Sequence, residues 1–304
     1  MKQLLPFTFA QARRAGFAPD RIRGLCRSGT WRRLRRNAYL PAEAVQDGHP
    51  LLIRAGAVLP QLIGDPVLSH ETAARLWGVA HLRAPTDHIQ LVRSRRGQGR
   101  RDPADAIIRQ AAMWPEHRSS VHGLPLTTVA RTVLDIARLR GVRAGVVAMD
   151  SALQHGLCTP RDIARTVEHM AGWPFVRRAR YVAGISDGRS ESPLESLSRL
   201  CFLRFGVPRP RIQVDDLVSG VRVDFFWEAA GVVGEADGEE KYLRDPSEFV
   251  REKQREQRLV ASGFSVVRWG WDECFRTPAA LAKRVNEAIT ARTRYSTARM
   301  SPVW

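Results

Sequence analysis

Apolar side chains return at helical spacing along the middle of the chain. A helix is predicted over residues 128–139, where one face collects the apolar positions. Those positions are Val129, Val133, Ile136 and Ala137. Further helices are predicted near residues 50–60, from Ser69 onward and at AGVVAMDSALQ, with strands at HIQLV and AIIRQ. This mixture predicts an α/β section over residues 49–185, whose histidines lack the spacing of hydrolase or metal motifs.

The pattern changes after GISDGRSES, a Gly-, Ser- and Asp-rich segment that predicts a linker. From residue 190 the hydrophobic periods predict the element order α, β, β, β, α, β, α. The predicted elements are a helix at SPLESLSRLCFLRFG, strands at about 211–215, 221–227 and 231–237, a helix at 246–261, a strand at FSVVRWG and a helix at 277–293. This order predicts a separate α/β domain over residues 190–295.

The first 48 residues predict a small DNA-binding module. Thr8 can cap a short helix that runs to Gly16, and Pro19 can begin a second helix that ends near Ser28. The segment TWRRLRRNAYL then predicts a pair of strands. Helix, turn, helix and strand pair in this order are typical of a winged helix-turn-helix, here at residues 1–48.

Charge strengthens this interpretation of the N-terminal module. The chain carries a formal net charge of +17, and its first 40 residues hold ten basic side chains and one acidic side chain. The second helix and the strand pair are expected to contact duplex DNA and its phosphates through arginines. These are Arg21, Arg23, Arg27, Arg32, Arg33, Arg35 and Arg36. The alternative explanation of this charge is a general bias toward arginine, since 44 of the 48 basic residues are arginines. A solvated basic face needs no ligand.

Other function classes find little support in the sequence. No apolar run approaches the roughly 20 residues that span a bilayer, and no secretory signal is apparent, so a cytoplasmic protein without a membrane partner is expected. The four cysteines are far apart and show neither a zinc spacing nor a disulfide framework.

Carboxylates on two predicted strands provide the candidate chemistry. In VRVDFFW the alternation leaves Asp224 opposite an apolar face, and VVGEADG places Glu235 and Asp237 together on the next strand. Because an unpaired buried carboxylate is costly, a shared Mg²⁺ or Mn²⁺ is predicted at these three residues. Such an ion can polarise a phosphodiester and help to generate hydroxide. Glu195 can assist as an outer ligand or water-positioning group, although an exposed helical glutamate is an equal alternative.

Two of the four lysines, Lys241 and Lys253, follow these acidic residues closely. Lysine is a compact charge whose pKa responds to burial, whereas arginine stays protonated. One of these lysines is therefore a candidate to hold the attacking water or to stabilise the pentacovalent phosphate. Chance placement is the alternative.

Residues 190–295 resemble the Vsr-like branch of the PD-(D/E)XK nucleases. The matching pieces are Glu195 in ESPLES, Asp224 in VDFFW, Glu235 and Asp237 in GEADG, Lys241 with Tyr242, and Arg255 in EKQREQRL. The resemblance implies an αβββαβ restriction-endonuclease-like core, with Asp224 and Glu235 as the principal metal ligands and Arg255 toward the nucleic acid. The chain departs from the family where its lysine belongs, because Asp237 stands there.

Residues 1–185 are similar to the AbiEi-type antitoxin and regulator architecture, in layout and in the ARTVLDIAR-like helix. Two hypotheses follow from the two resemblances. One is a Mg²⁺-dependent DNA endonuclease delivered by the N-terminal module. The other is a non-catalytic regulator or type IV toxin–antitoxin antitoxin with a possible cognate toxin, in which the nuclease fold serves as a scaffold. RNA as the substrate is not separable from DNA at this stage.

Overall fold

A computed structural model describes the chain over most of its length. The described residues are 5–83, 86–94, 102–218, 220–238 and 246–300. They fall into two compact units, the first from residues 1–148 and 157–183 and the second from residues 149–156 and 184–304. Helices and mixed sheets occur in the chain, which confirms the predicted multidomain α/β class. Within the described ranges, none of the helices combines the length and apolar character needed to span a bilayer.

The helices and strands are numbered in chain order. The helices are α1 (Phe9–Arg14), α2 (Pro19–Arg27), α3 (Ala42–Asp47), α4 (Pro50–Val58), α5 (His70–Trp77), α6 (Val129–Arg140), α7 (Val142–Gln154), α8 (Pro160–His169), α9 (Val176–Ile185), α10 (Pro193–Arg204), α11 (Pro246–Ala261), α12 (Trp271–Arg276) and α13 (Pro278–Met300). The strands are β1 (Trp31–Arg35), β2 (Ala38–Pro41), β3 (Val67–Leu68), β4 (Ile89–Arg93), β5 (Ala106–Gln110), β6 (Arg118–Val121), β7 (Leu124–Thr127), β8 (Arg211–Val218), β9 (Val221–Trp227), β10 (Val232–Ala236) and β11 (Ser265–Trp269).

The N-terminal segment has the predicted order of two short helices and a strand pair. Thr8 caps α1 in a capping box, in which its hydroxyl accepts from the backbone N–H of Gln11 at 3.1 Å. Pro19 begins α2, whose buried residue is Ile22. The strands β1 and β2 pair antiparallel, and Asn37 takes a positive φ of 59° in the turn between them. The sequence therefore places these elements correctly.

A five-stranded mixed sheet forms the centre of the first unit, in the order β5-β4-β3-β7-β6. The predicted strands HIQLV and AIIRQ are β4 and β5, and they pair in parallel. Leu51, Leu68, Leu91 and Leu126 belong to one buried core on this sheet. Sequence analysis missed β3, β6 and β7, because these strands of two to four residues are too short to show an alternation. It also missed the helices α3, α8 and α9.

A buried ion-pair network lies on α6. Arg131 Nε donates to Asp135 Oδ2 at 2.7 Å, and Arg138 Nη1 donates to Asp135 Oδ1 at 2.8 Å. Both guanidinium groups lie over the ring of Trp173, at 4.5 and 4.9 Å from its centroid. Arg131 also lies 3.1 Å from Nδ1 of His117. Since Asp135 is only 2% exposed, the two arginines supply the charge that its burial requires.

The second unit contains the four-stranded sheet β11-β10-β9-β8. Its elements follow the predicted order, with the short helix α12 as an addition. Phe202 on α10 makes edge-to-face contacts with Phe225, Trp227 and Trp269, at centroid distances of 5.3–5.5 Å. A Cβ atom on Gly234 would lie 2.6 Å from the Trp269 ring, so the packing of this core excludes a side chain there.

The predicted linker GISDGRSES is not a free segment. The backbone N–H of Asp187 donates to Asp150 Oδ1 at 2.8 Å, and Ser190 is only 3% exposed. Arg199 on α10 donates to Ser190 Oγ at 2.9 Å and to Asp150 Oδ2 at 2.8 Å. The segment begins at the boundary between the two units, where a linker was predicted, but its polar residues are hydrogen-bonded within the second unit.

The stability of the first unit should depend on pH through two buried histidines. Burial, as the largest cause, lowers the pKa of His70 and that of His117 from 6.5 to about 4, with Arg131 contributing at both. A folded-state pKa below the unfolded value means that the unfolded state binds more protons between these pH values. Stability is therefore complete above pH 6.5 and declines as the pH falls toward 4. We expect the free energy of unfolding in urea to drop by about 2 kcal/mol per histidine from pH 7 to pH 5.

The matched control is the exposed His122. His122→Asn should keep the full pH dependence, whereas His117→Asn should reduce it. Equal pH dependence in both variants would contradict the assignment to buried histidines.

Candidate functional site

The arginines predicted to contact DNA lie on α2 and on the β1–β2 hairpin. Six of the seven have exposed side chains: Arg21, Arg23, Arg27, Arg32, Arg33 and Arg36. Arg35 differs, because its Nη1 donates to Asp105 Oδ1 at 2.8 Å within the first unit. Arg23 forms a solvent-exposed ion pair with Asp20, which is weak enough to be exchanged. Thus the structure keeps six arginines at a surface and assigns Arg35 to a structural contact.

A polar row crosses one end of the four-stranded sheet in the second unit. It consists of Gln213 on β8, Asp224 on β9, Glu235 on β10 and Arg268 on β11. Glu235 is the register partner of Arg268. Continuing the β9–β10 register by one residue places Glu235 opposite Asp224. On the β8 side of β9, the register places Gln213 opposite Asp224. Because partners in adjacent strands share a face, the sheet brings Asp224, Glu235 and Arg268 together.

Asp224 is held by hydrogen bonds at this row. Its Oδ2 accepts from the backbone N–H of Ala236 at 2.9 Å, and its Oδ1 accepts from Gln213 Nε2 at 3.4 Å. Gln213 has a positive φ of 51°, a conformation that costs energy in a residue with a side chain and often marks a functional or constrained position. The same Nε2 donates to Glu195 Oε2 at 2.7 Å. Gln213 therefore links Asp224 to Glu195.

Glu195 lies in the first turn of α10 and is buried, with 7% of its surface exposed. The alternative of an exposed helical glutamate is therefore wrong. Its oxygens accept from Ser192 Oγ and from the backbone N–H of Glu191, both at 2.9 Å. Burial raises the pKa of Glu195, and the nearby negative charge of Asp224 raises it further.

The other two predicted metal ligands form ion pairs with arginines. Glu235 is 5% exposed and pairs with Arg255 from α11. Asp237 lies 3.5 Å from Arg268, which is also 3.2 Å from Glu256. Arg255, expected to face nucleic acid, thus contacts a carboxylate instead. Sequence analysis did not identify Arg268, because only the strand register places it in the row.

The predicted set of Asp224, Glu235 and Asp237 does not fit a shared divalent ion as it is arranged. Over the described residues, no three histidine, cysteine, aspartate or glutamate side chains are grouped so that they could hold one. Arginine nitrogens already contact two of the three carboxylates, those of Glu235 and Asp237. Lys253 is exposed on α11, and Lys241 lies outside the described residues. The catalytic roles of these residues stay predictions.

The first unit carries the ARTVLDIAR segment on α6, with its buried network around Asp135. Residues 66–184 match the AbiEi antitoxin C-terminal domain. The matched range runs from just before β3 into α9, so the AbiEi-type resemblance predicted for residues 1–185 is confirmed over residues 66–184. It ends before the polar row, and the resemblance of residues 190–295 to Vsr-like nucleases stays a prediction.

Two curated proteins of Mycobacterium tuberculosis are similar to this chain. They are the uncharacterized protein MT2308 of strain CDC 1551 / Oshkosh and the uncharacterized protein Rv2248 of strain H37Rv. Each is 32% identical over 169 residues, which cover 54% of this chain and 62% of the relative. The chain thus matches less than two thirds of either relative, and their names state no activity.

The Glu235–Arg255 pair should be required for the stability of the second unit. Arg255→Met keeps most of the side-chain volume but removes this ion pair from a buried carboxylate. We expect the free energy of unfolding to fall by about 3 kcal/mol, because breaking a buried pair on one side leaves the remaining charge poorly compensated. Urea unfolding at neutral pH measures the change.

Arg258→Met on the same helix is the matched control, since Arg258 is exposed. This control should change the free energy of unfolding by less than about 0.5 kcal/mol. An Arg255→Met protein as stable as the control would show that the pair does not neutralise Glu235.

Proposed function

We propose that this chain is a DNA-binding regulator of the AbiEi antitoxin type. The observation that supports it is the match of residues 66–184 to the AbiEi antitoxin C-terminal domain, together with two helices and a hairpin with exposed arginines nearer the N-terminus. In this proposal residues 1–48 are a winged helix-turn-helix that binds duplex DNA. The second unit then serves as a scaffold whose carboxylates are held by arginine and amide groups.

The geometry of the N-terminal segment suits such a role. With Ile22 turned into the core, α2 presents Arg21, Arg23 and Arg27 at the surface, where a recognition helix would meet the major groove. The hairpin adds further exposed arginines for phosphate contacts beside it, namely Arg32, Arg33 and Arg36. A protein toxin is the partner that an antitoxin would have, and a cytoplasmic location follows from the same proposal.

Duplex-DNA binding should depend on these exposed arginines. The triple variant Arg27→Glu, Arg32→Glu, Arg33→Glu removes three candidate phosphate contacts. We expect its affinity for duplex DNA in a gel-shift assay to drop at least tenfold, and the slope of log K against log salt to fall by about 3. A DNA fragment upstream of the gene and a shuffled duplex serve as probes.

The control carries the same charge reversal at three exposed arginines outside this segment, Arg161, Arg258 and Arg276. It should bind within about threefold of the unchanged protein. If both triple variants lose affinity equally, net charge rather than the N-terminal module causes the binding.

Metal-dependent phosphodiester cleavage is a second candidate function. The predicted helix and strand order of the second unit and the closeness of Glu195 to Asp224 favour it. It requires Glu235 to exchange Arg255 for Mg²⁺ or Mn²⁺, and RNA or DNA is an equally suitable substrate.

Incubation with supercoiled plasmid and Mg²⁺ or Mn²⁺ separates the two candidates. We expect the plasmid to stay intact at protein concentrations that shift duplex DNA, for the wild type and for Asp224→Ala alike. Nicking by the wild type that is absent from Asp224→Ala would instead establish the endonuclease and reject the scaffold role.

A further inference from the structure

The outer face of α9 in the first unit is basic and aromatic. Its inward residues are the buried Val176, Ala179 and Val182. Arg177, Arg180 and Tyr181 lie on the opposite side and are exposed. Residues at these spacings are neighbours on one helix surface. The helix therefore presents two guanidinium groups beside an aromatic ring.

This face continues into an open cavity of about 660 Å³. The cavity is lined by Gly172, Trp173, Phe175, Val176, Arg177, Arg178 and Arg180. The lining contains three arginines and no acidic residue. In the described part of the chain, none of the three arginines forms an ion pair with a carboxylate. The cavity is thus cationic.

Phe175 is placed at this cavity by an unfavourable backbone conformation. Its φ is 60°, a value that side-chain-bearing residues rarely adopt, and the residue is 57% exposed. Arg178 holds one side of the ring, with its guanidinium carbon 5.0 Å from the centroid. Arg178 is itself fixed, because its Nη1 donates to the carbonyl of Arg138 at 2.7 Å. Strain that exposes an aromatic ring is often functional.

The wall of the cavity is tied to the buried ion-pair network. The guanidinium groups of Arg131 and Arg138 both lie over the ring of Trp173, and the ring of Trp114 stacks on it at 5.9 Å. Because the buried network fixes Trp173, the neighbouring Phe175 and the arginines of α9 are attached to an ordered base. Such preorganisation lowers the entropic cost of binding a ligand.

We propose that the cavity and the outer face of α9 bind single-stranded nucleic acid. Arg177 and Arg180 would neutralise backbone phosphates, and the exposed ring of Phe175 would stack on a base. The exposed large apolar groups at this surface are the aromatic rings of Phe175 and Tyr181, which suit bases better than the aliphatic anchors of a peptide. This site is separate from the proposed duplex-binding module and does not rest on it.

The test measures binding of fluorescein-labelled oligo-dT and oligo-rU, each of about 12 nucleotides, by fluorescence anisotropy. The full-length chain carries Arg27→Glu, Arg32→Glu and Arg33→Glu throughout, so that the N-terminal module does not contribute. In this background we expect Arg177→Glu with Arg180→Glu to weaken binding at least tenfold. Phe175→Ala should weaken it at least fivefold, the lower limit for loss of one stacked base.

The matched control reverses two exposed arginines of α8, Arg161 and Arg165, in the same unit. It should bind within about threefold of its parent, and circular dichroism should show that all variants are folded. Phe175→Gly serves as a second ring-deleted variant, because glycine adopts the positive φ freely. It should lose binding although it relieves the backbone strain.

Equal binding by the α9 variants and the α8 control would overturn the proposal. The proposal would also be overturned if the protein bound a labelled poly-glutamate peptide but no oligonucleotide, and if the α9 variants lost that peptide binding. The surface would then serve a protein partner. Preference for oligo-rU or oligo-dT identifies RNA or DNA as the ligand. In an otherwise unchanged chain the α9 variants should retain duplex binding, so failure here leaves the proposed regulator function intact.

Discussion

A buried carboxylate needs hydrogen-bond donors or a positive charge beside it, and for Asp135 and Glu235 arginine supplies that charge. Asp135 accepts from Arg131 and Arg138 within α6, and Glu235 on β10 pairs with Arg255 on α11. Removing one partner from such a pair costs several kcal/mol, so the Glu235–Arg255 contact constrains how α11 packs on the sheet. Part of the high arginine content is therefore structural. Other arginines are exposed, and those on α2, the hairpin and α9 include the groups that we propose to bind anionic ligands.

The same constraint bears on the function of the second unit. A divalent ion and an arginine are alternative ways to neutralise Glu235, and the structure has the arginine. Asp224 is meanwhile satisfied by an amide side chain and a backbone N–H. These contacts, together with the match of residues 66–184 to the AbiEi antitoxin C-terminal domain, support our proposal of a regulator in which the second unit is a scaffold.

The sequence predicted most of the fold, because long amphipathic helices and regular strands leave clear periods. It identified α6 and the element order after residue 190, but not the two-residue strand β3, which only its pairing defines. It also missed α8, although Thr159, Pro160 and Asp162 form a readable helix start. The candidate site was predicted less completely. Alternation showed that Asp224 and Glu235 lie on strands, yet the register that brings Arg268 beside them, and the reach of Arg255 from α11, depend on long-range packing. No local pattern encodes those distances.

Binding of Mn²⁺ tests most directly whether arginine or metal neutralises these carboxylates. The electron paramagnetic resonance signal of free Mn²⁺ can be followed as the full-length protein is added. We expect no Mn²⁺ site at these carboxylates, so the wild type should reduce the signal of free Mn²⁺ no more than Asp224→Ala does. A saturable site of one Mn²⁺ per chain that is absent from Asp224→Ala would contradict it.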